Sequence, residues 1–251
     1  MTTTPLGPGT DPITPGAVSA LRARAAARPG RTARRADRTQ PDEDNQNGSG
    51  DVMKAIVLNC TLKASPELSN TQELADTVIE AMEKEDVQTT TFRLADLITL
   101  DRGVETTMSD VDQWPRIHDA IVDCQILVIA TPTWLGHPSS YAQQALERLN
   151  GMTSETDDND APVAFGKVAG VVVTGNEDGA HHVISEIAQG LIDIGFTIPG
   201  QAWTYWNRGP GPGPSYSETD EKHDWSEQTG RTMTQQLVRV AHALGAETMG
   251  S

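Results

Sequence analysis

A chain of 251 residues can hold one large domain or two small ones, and its longest apolar runs are strand-length, well short of the roughly 20 residues that cross a membrane. The formal charge of −16 repels a phosphate backbone, which excludes nucleic acid as a partner and requires any anionic ligand to be gripped by local donors. Two cysteines, Cys60 and Cys124, make no disulfide framework. One falls near a strand's end and the other near a neighbouring strand's start, about 20 Å apart at roughly 3.3 Å per residue, whereas a bridge spans ~7 Å at most. Both read as small buried hydrophobes in a reducing cytoplasm.

Residues 1–52 are rich in Pro, Gly, Thr, Ala and Arg and lack apolar periodicity, so they are predicted to be a disordered leader. Their Arg and Ala content is faintly that of a transit peptide, and no apolar run follows Arg34 and Arg35, which excludes a secretory or twin-arginine signal. Met53, immediately before the first strand, offers a later gene start as a third explanation. From Met53 onward strand and helix patterns alternate, which predicts a parallel sheet covered on both faces in a domain over 53–251.

The first strand, Ala55 to Leu58, is too uniformly apolar to have a wet face and belongs in the middle of the sheet. It empties into a polar loop, and Asn70 with Glu73 has capping-box spacing for a helix over about Thr71 to Lys84. Hydroxyls at Thr61, Ser65, Ser69 and Thr71 could add donors to free helix amides, so a phosphate fits there. An ordinary Ser/Asn-capped connection explains the loop as well. The spacings of a nucleoside triphosphate loop and of a dinucleotide fingerprint are both absent.

Val87 to Leu94 is Thr-rich and suits an edge strand. A loop carrying Asp101, Arg102 and Gly103 leads to a helix opened by Trp114-Pro115 and running through about Val122. The third strand, Gln125 to Ala130, ends in "TPTWLGHPSS", where Thr131 to Gly136 is expected to turn sharply and Pro138 to begin a helix with Ala142, Ala145, Leu146 and Leu149 inward. Trp134 by itself reads more simply as a cover for the strand ends. An acidic loop, Ser154 to Asp160, precedes a fourth strand at Val168 to Val173, which ends in "TGNEDGAHH" before a helix with Val183, Ile184, Ile187, Leu191 and Ile192 as its stripe. The fifth strand is placed at Phe196 to Trp206, at an edge because of Pro199.

The following "GPGPGP" lacks the amides of a phosphate cradle and suits a lid or a subunit contact. A last helix over about Trp225 to Leu244 turns Met233, Leu237, Val240, Ala241 and Leu244 inward. Three buried strands thus end in three polar turns, which would line one crevice at the carboxyl edge of an open sheet. His181 and His182 are adjacent and diverge on a helix, and no Cys or carboxylate is read at ligand spacing, so a metal site there is disfavoured. No G-x-S-x-G elbow supports a hydrolase nucleophile.

From about Met53 to Ala246 the chain resembles the flavodoxin-like NAD(P)H-dependent FMN reductases. The resemblance implies a doubly wound five-stranded parallel sheet of order 2-1-3-4-5. It also implies that Thr61, Lys63, Ser69, Asn70 and Thr71 hold the FMN phosphate. Pro132, Thr133, Trp134, Leu135 and Gly136 would hold the isoalloxazine edge, and Thr174, Gly175, Asn176, Gly179 and His182 the rest of the flavin wall. The implied activity is FMN-dependent oxidation of NADPH or NADH with reduction of a small-molecule electron acceptor such as a quinone or free flavin. No side chain is an obligatory acid or base, no metal or membrane is involved, and the assembly would be a homodimer or homotetramer. A flavodoxin-type electron carrier is the alternative. A receiver-type signalling domain would need an acidic cluster after the first strand, where Cys60-Thr61 stands instead.

Overall fold

The uninterrupted apolar runs take the middle of the sheet. The computed structural model describes residues 52–210 and 213–248; the predicted leader, save Val52, and the middle of the Gly-Pro repeat lie outside them. In chain order the elements are β1 (Lys54–Asn59), α1 (Asn70–Glu83), β2 (Gln88–Arg93), α2 (Trp114–Asp123), β3 (Ile126–Trp134), β4 (His137–Pro138), α3 (Ser140–Leu149), β5 (Val168–Gly175), α4 (Ala180–Ile194), β6 (Trp203–Asn207) and α5 (His223–Thr248). The long strands are all parallel in the order β2-β1-β3-β5-β6, and the two-residue β4 pairs antiparallel with the end of β3. Setting β4 aside, this is the 2-1-3-4-5 order of a doubly wound sheet.

Side chains alternate across each strand, so the two faces feed separate cores. Ile56 and Leu58 of β1 join Ile117 and Ile121 of α2, Ala145 and Leu149 of α3, and Val183 and Ile187 of α4. Ala55 and Val57 turn the other way, onto Leu74, Val78 and Met82 of α1 and Met233 and Leu237 of α5. Burying each large aliphatic side chain contributes roughly 1.5–3 kcal/mol, which is why an alternating polar residue is absent from β1. Cys60 and Cys124 are free and buried, as the spacing of the strands requires, and burial pushes both thiols up, that of Cys124 to about 11.

Several boundaries differ from expectation for identifiable reasons. β3 runs on through Trp134, because Pro132 lies beyond the last pairing with β1 and its missing N–H leaves no ladder bond unmade; its partner is Thr174 of β5. The sharp turn is at Leu135-Gly136 alone, with φ of 52° and 78°, the two positive values of a two-residue hairpin. Pro138 therefore sits in β4, and α3 starts after Ser139, whose hydroxyl accepts from the Ala142 amide at 3.2 Å. The fifth long strand begins at Trp203, since Pro199 lies in a turn where its carbonyl accepts from Ala202 at 3.2 Å. On α4, Ile192 is exposed and Ile194 takes the buried place.

Arg148 of α3 is fully buried and organises the loop before α2. Its guanidinium donates to the carbonyls of Asp101, Glu105 and Thr106 and, at 2.6 Å, to Asp112. Burial alone would push the Asp112 carboxyl up, but hydrogen bonds from Arg148 and from the amides of Trp114 and Met108 outweigh it and hold it below the usual carboxylate range.

Candidate flavin site

After β1 the chain goes outward to β2 and then returns to β3 on the other side, so the strand order reverses between β1 and β3. Ligands of open α/β sheets bind at that place, beyond the carboxyl ends of the strands. A cleft of about 290 Å³ lies there, lined by Thr61, Leu62, Lys63, Asn70, Thr71, Pro132, Thr133, Trp134, Thr174, Gly175, Asn176, Trp206, Ser215 and Tyr216. A larger hollow of about 650 Å³ lies between residues 97–102 and the start of α3. It lies away from the three polar turns that the sheet brings together.

The floor of the cleft is the first turn of α1. Ser69, rather than Asn70, is its N-cap, and the Ser69 hydroxyl accepts from the Gln72 amide at 3.1 Å. Among the described residues the amides of Asn70 and Thr71 have no acceptor, which leaves two donors at the positive end of the helix dipole beside the cleft. Thr71 is buried and shares a 2.9 Å hydrogen bond with the hydroxyl of Thr174, which ties α1 to the end of β5. Asn59 positions the loop, accepting from the Thr61 amide at 3.0 Å and donating to Gln72 at 2.7 Å. Lys63 folds back over this turn, its ammonium 3.2 Å from the Leu68 carbonyl and 3.5 Å from Glu67. Ser65 points away, and both its amide and its hydroxyl donate to Asp96, whose carboxyl they hold below the usual range.

The second wall is the hairpin between β3 and β4. Trp134 is half exposed beside the cleft, while Thr133 is buried and its hydroxyl has no partner among the described residues. Such an orphan hydroxyl costs about 1–3 kcal/mol unless a ligand or water satisfies it. Leu135 and Gly136 form the tip, and the Leu135 amide donates to Glu177 at 2.6 Å. The tip lies so close to α4 that a Cβ on Gly179 would sit 2.7 Å from the Gly136 Cα. Gly136 and Gly179 thus shape the wall from behind and do not line the cleft. His182 lies outside it as well, beside His137 and Glu186 on the far side of the hairpin.

A third wall was not legible as such. Ser215 to Glu218, after the Gly-Pro repeat, returns to the cleft. Its Ser217 amide donates to Asn70 Oδ1 at 3.0 Å, so the Asn70 side chain is spent on docking this segment. Tyr216 is buried between Trp206, an edge contact at 5.6 Å, and His223, stacked at 3.9 Å, and burial pushes its phenol up to about 12. Ser215 and Glu218 form a capping box, a four-residue signal present in the sequence.

Free helix amides and hydroxyls fit an anion, and a half-exposed indole with an orphan threonine fits the edge of a flat heteroaromatic ring. The sequence profile of the NADPH-dependent FMN reductases matches residues 53–209. The chain belongs to that family. A Mycobacterium bovis protein named divalent metal cation transporter MntH is 34% identical over 203 residues, which are 78% of this chain but 30% of the transporter. The chain therefore spans less than a third of that relative. The 8-demethyl-8-aminoriboflavin-5'-phosphate synthase of Streptomyces davaonensis is 34% identical over 207 residues, covering 77% of this chain and 79% of the synthase. A crystal structure of RosB with a bound 8-demethyl-8-formylriboflavin-5'-phosphate intermediate superposes with a TM-score of 0.69 at 34% identity, over 77% of this chain and 81% of that one. This chain has the flavodoxin-like fold of a family of FMN-dependent oxidoreductases. No helix among the described residues is long and apolar enough to cross a membrane.

Proposed function

We propose that this flavoprotein takes electrons from NADPH or NADH and passes them to a small acceptor such as a quinone or free flavin. The observation that carries the proposal is the pair of α1 amides that find no acceptor among the described residues, beside the Thr71–Thr174 hydroxyl pair in an open cleft. When bound, FMN supplies the redox chemistry, accepting hydride and passing the electrons on. The chain's own residues then bind and orient. The amides of Asn70 and Thr71, with Thr61 and Lys63 close by, hold the phosphate. Pro132, Thr133 and Trp134 edge the ring system, with the Thr133 hydroxyl gaining its missing partner. Thr174, Gly175 and Asn176 form the opposite flank, and Trp206 and Tyr216 close the inner end. Ser69, Gly136 and Gly179 act one layer out, by capping α1 and by seating the hairpin. The buried free thiols suit a reducing cytoplasm.

The open face decides the kinetics. If nicotinamide and acceptor occupy it in turn, initial-rate patterns are ping-pong, and purified protein carrying yellow flavin is bleached by NAD(P)H alone under anaerobic conditions. A protein that binds FMN but is reduced only through a separate reductase is an electron carrier, and that result rejects the proposal.

A second reading makes the flavin the substrate. The synthase and the RosB structure, 34% identical over most of their length, are named for a riboflavin-5'-phosphate derivative as product or bound intermediate. Chromatography of the flavin after prolonged turnover separates the two readings. FMN recovered unchanged supports the reductase, and FMN consumed to a new flavin supports the second reading.

A further inference from the structure

The far side of the β3–β4 hairpin and the first turns of α4 bring together His137, His182 and Glu186, none of which lines the flavin cleft. Their ligand atoms all lie within 4.8 Å of one another. His137 Nδ1 is 3.4 Å from Glu186 Oε1, and His182 Nε2 is 3.3 Å from the same oxygen. Two ligands bonded tetrahedrally to Zn²⁺ at about 2.0–2.2 Å stand roughly 3.3–3.6 Å apart. Both spacings are therefore those of edges of a coordination tetrahedron.

The backbone explains why the three groups meet. His182 and Glu186 are four residues apart on one helix face. His137 is delivered by the two-residue turn, whose position is fixed by the close approach of Gly136 to Gly179 and by the Leu135 amide on Glu177. The rings of His137 and His182 meet edge to face at 5.1 Å. The neighbouring His181 turns away onto Trp203 and Tyr205. The divergence of adjacent helix residues thus holds for His181 and His182, but the carboxylate at ligand spacing is Glu186.

We propose that His137, His182 and Glu186 form a three-ligand site for a divalent transition-metal ion of the Zn²⁺ class. Two imidazoles and one carboxylate are the borderline donors that select Zn²⁺ over Mg²⁺ or Ca²⁺, and a fourth position is left for water. The exposure of all three side chains lets the ion enter from solvent. The buried thiols, raised by burial, are poor competitors for it. The site rests on the hairpin and α4 alone and not on the flavin assignment.

Isothermal titration of the full chain with Zn²⁺, with Mg²⁺ in parallel, tests this. Wild type is expected to bind one Zn²⁺ and to ignore Mg²⁺. His137→Ala and Glu186→Gln should each weaken Zn²⁺ at least about 100-fold, beyond the 10–100-fold that loss of a merely supporting group costs. His181→Ala should bind as wild type does, since its ring turns onto Trp203 and Tyr205. Because the altered side chains are exposed, circular dichroism should show all variants folded. Absence of saturable Zn²⁺ binding in wild type, or binding that persists in both His137→Ala and Glu186→Gln, overturns the proposal and leaves the flavin reading untouched.

Discussion

Replacing Gly179 by alanine tests whether the hairpin is seated by contact with the start of α4. Gly179 has a φ of 110°, and an added Cβ would lie 2.7 Å from the Gly136 Cα, with no flexible side chain there to yield. The backbone conformation costs an L-residue about 1–3 kcal/mol, and pushing one backbone off another adds about 1–3 kcal/mol, for a total of about 2–6 kcal/mol. Gly136→Ala and Gly166→Ala are the controls, since their φ values are 78° and 77° and nothing lies within 4 Å of either added Cβ. Each should cost only the left-handed strain of about 1–2 kcal/mol, less the gain of about 0.4–1 kcal/mol from a stiffer unfolded chain. The same gain applies to Gly179→Ala, so urea titrations should place it below both controls by the cost of the contact, about 1–3 kcal/mol, or roughly 2–12 °C in melting temperature for a domain of this size. FMN should bind more weakly to Gly179→Ala, as its hairpin is displaced, and normally to Gly166→Ala. Equal destabilisation of all three variants would refute the idea that this contact positions the wall.

Thr71→Ala removes a hydroxyl at the phosphate end and unpairs Thr174, so FMN affinity should fall by about 1.5–3 kcal/mol while riboflavin affinity changes little; equal losses for both ligands would move the phosphate elsewhere. Leu135→Asn places a residue that tolerates positive φ at a tip position where the leucine is exposed, and urea unfolding should show a gain of about 1 kcal/mol. Asp112→Asn leaves Arg148 buried without its counter-charge and should cost about 3–5 kcal/mol at neutral pH. Because the Asp112 pKa is depressed in the folded chain, its contribution is complete above the unfolded value near ~3.9 and is lost as pH falls through the folded value. Urea midpoints measured down through that range should therefore fall less steeply in Asp112→Asn than in wild type.

The sheet was legible because its signal is redundant. Ala55 to Leu58 could be nothing but a two-sided strand, and the helix patterns between the strands force the crossovers that make them parallel. The three polar turns followed from strand order alone. What escaped was decided by contacts between distant segments. A proline at 132 reads as a strand breaker until one knows that β1 has already ended opposite Ala130. Leu-Gly is not the usual hairpin dipeptide, so the turn carried no local mark. The burial of Arg148 depends on carbonyls from residues 101–106, more than forty positions away, which no periodicity encodes. Two features were visible and still went unread, the Ser215-x-x-Glu218 capping box and the four-residue spacing of His182 and Glu186.

The hairpin carries Trp134 toward the cleft and His137 toward α4 within a span of four residues, so a ligand on one side acts on the other through the same short backbone. A metal bound by His137, His182 and Glu186 would add a second tie between hairpin and helix beside the Leu135–Glu177 hydrogen bond, and would reduce the freedom that a flavin must otherwise remove on binding. Equilibrium linkage then fixes a quantitative test. Whatever factor by which saturating Zn²⁺ tightens FMN, saturating FMN must tighten Zn²⁺ by the same factor. Both factors should collapse to one in Glu186→Gln. Titrations of FMN with and without Zn²⁺, and of Zn²⁺ with and without FMN, close the cycle. If both ligands bind to wild type yet each leaves the other's affinity unchanged, the hairpin is rigid before either arrives and transmits nothing between them.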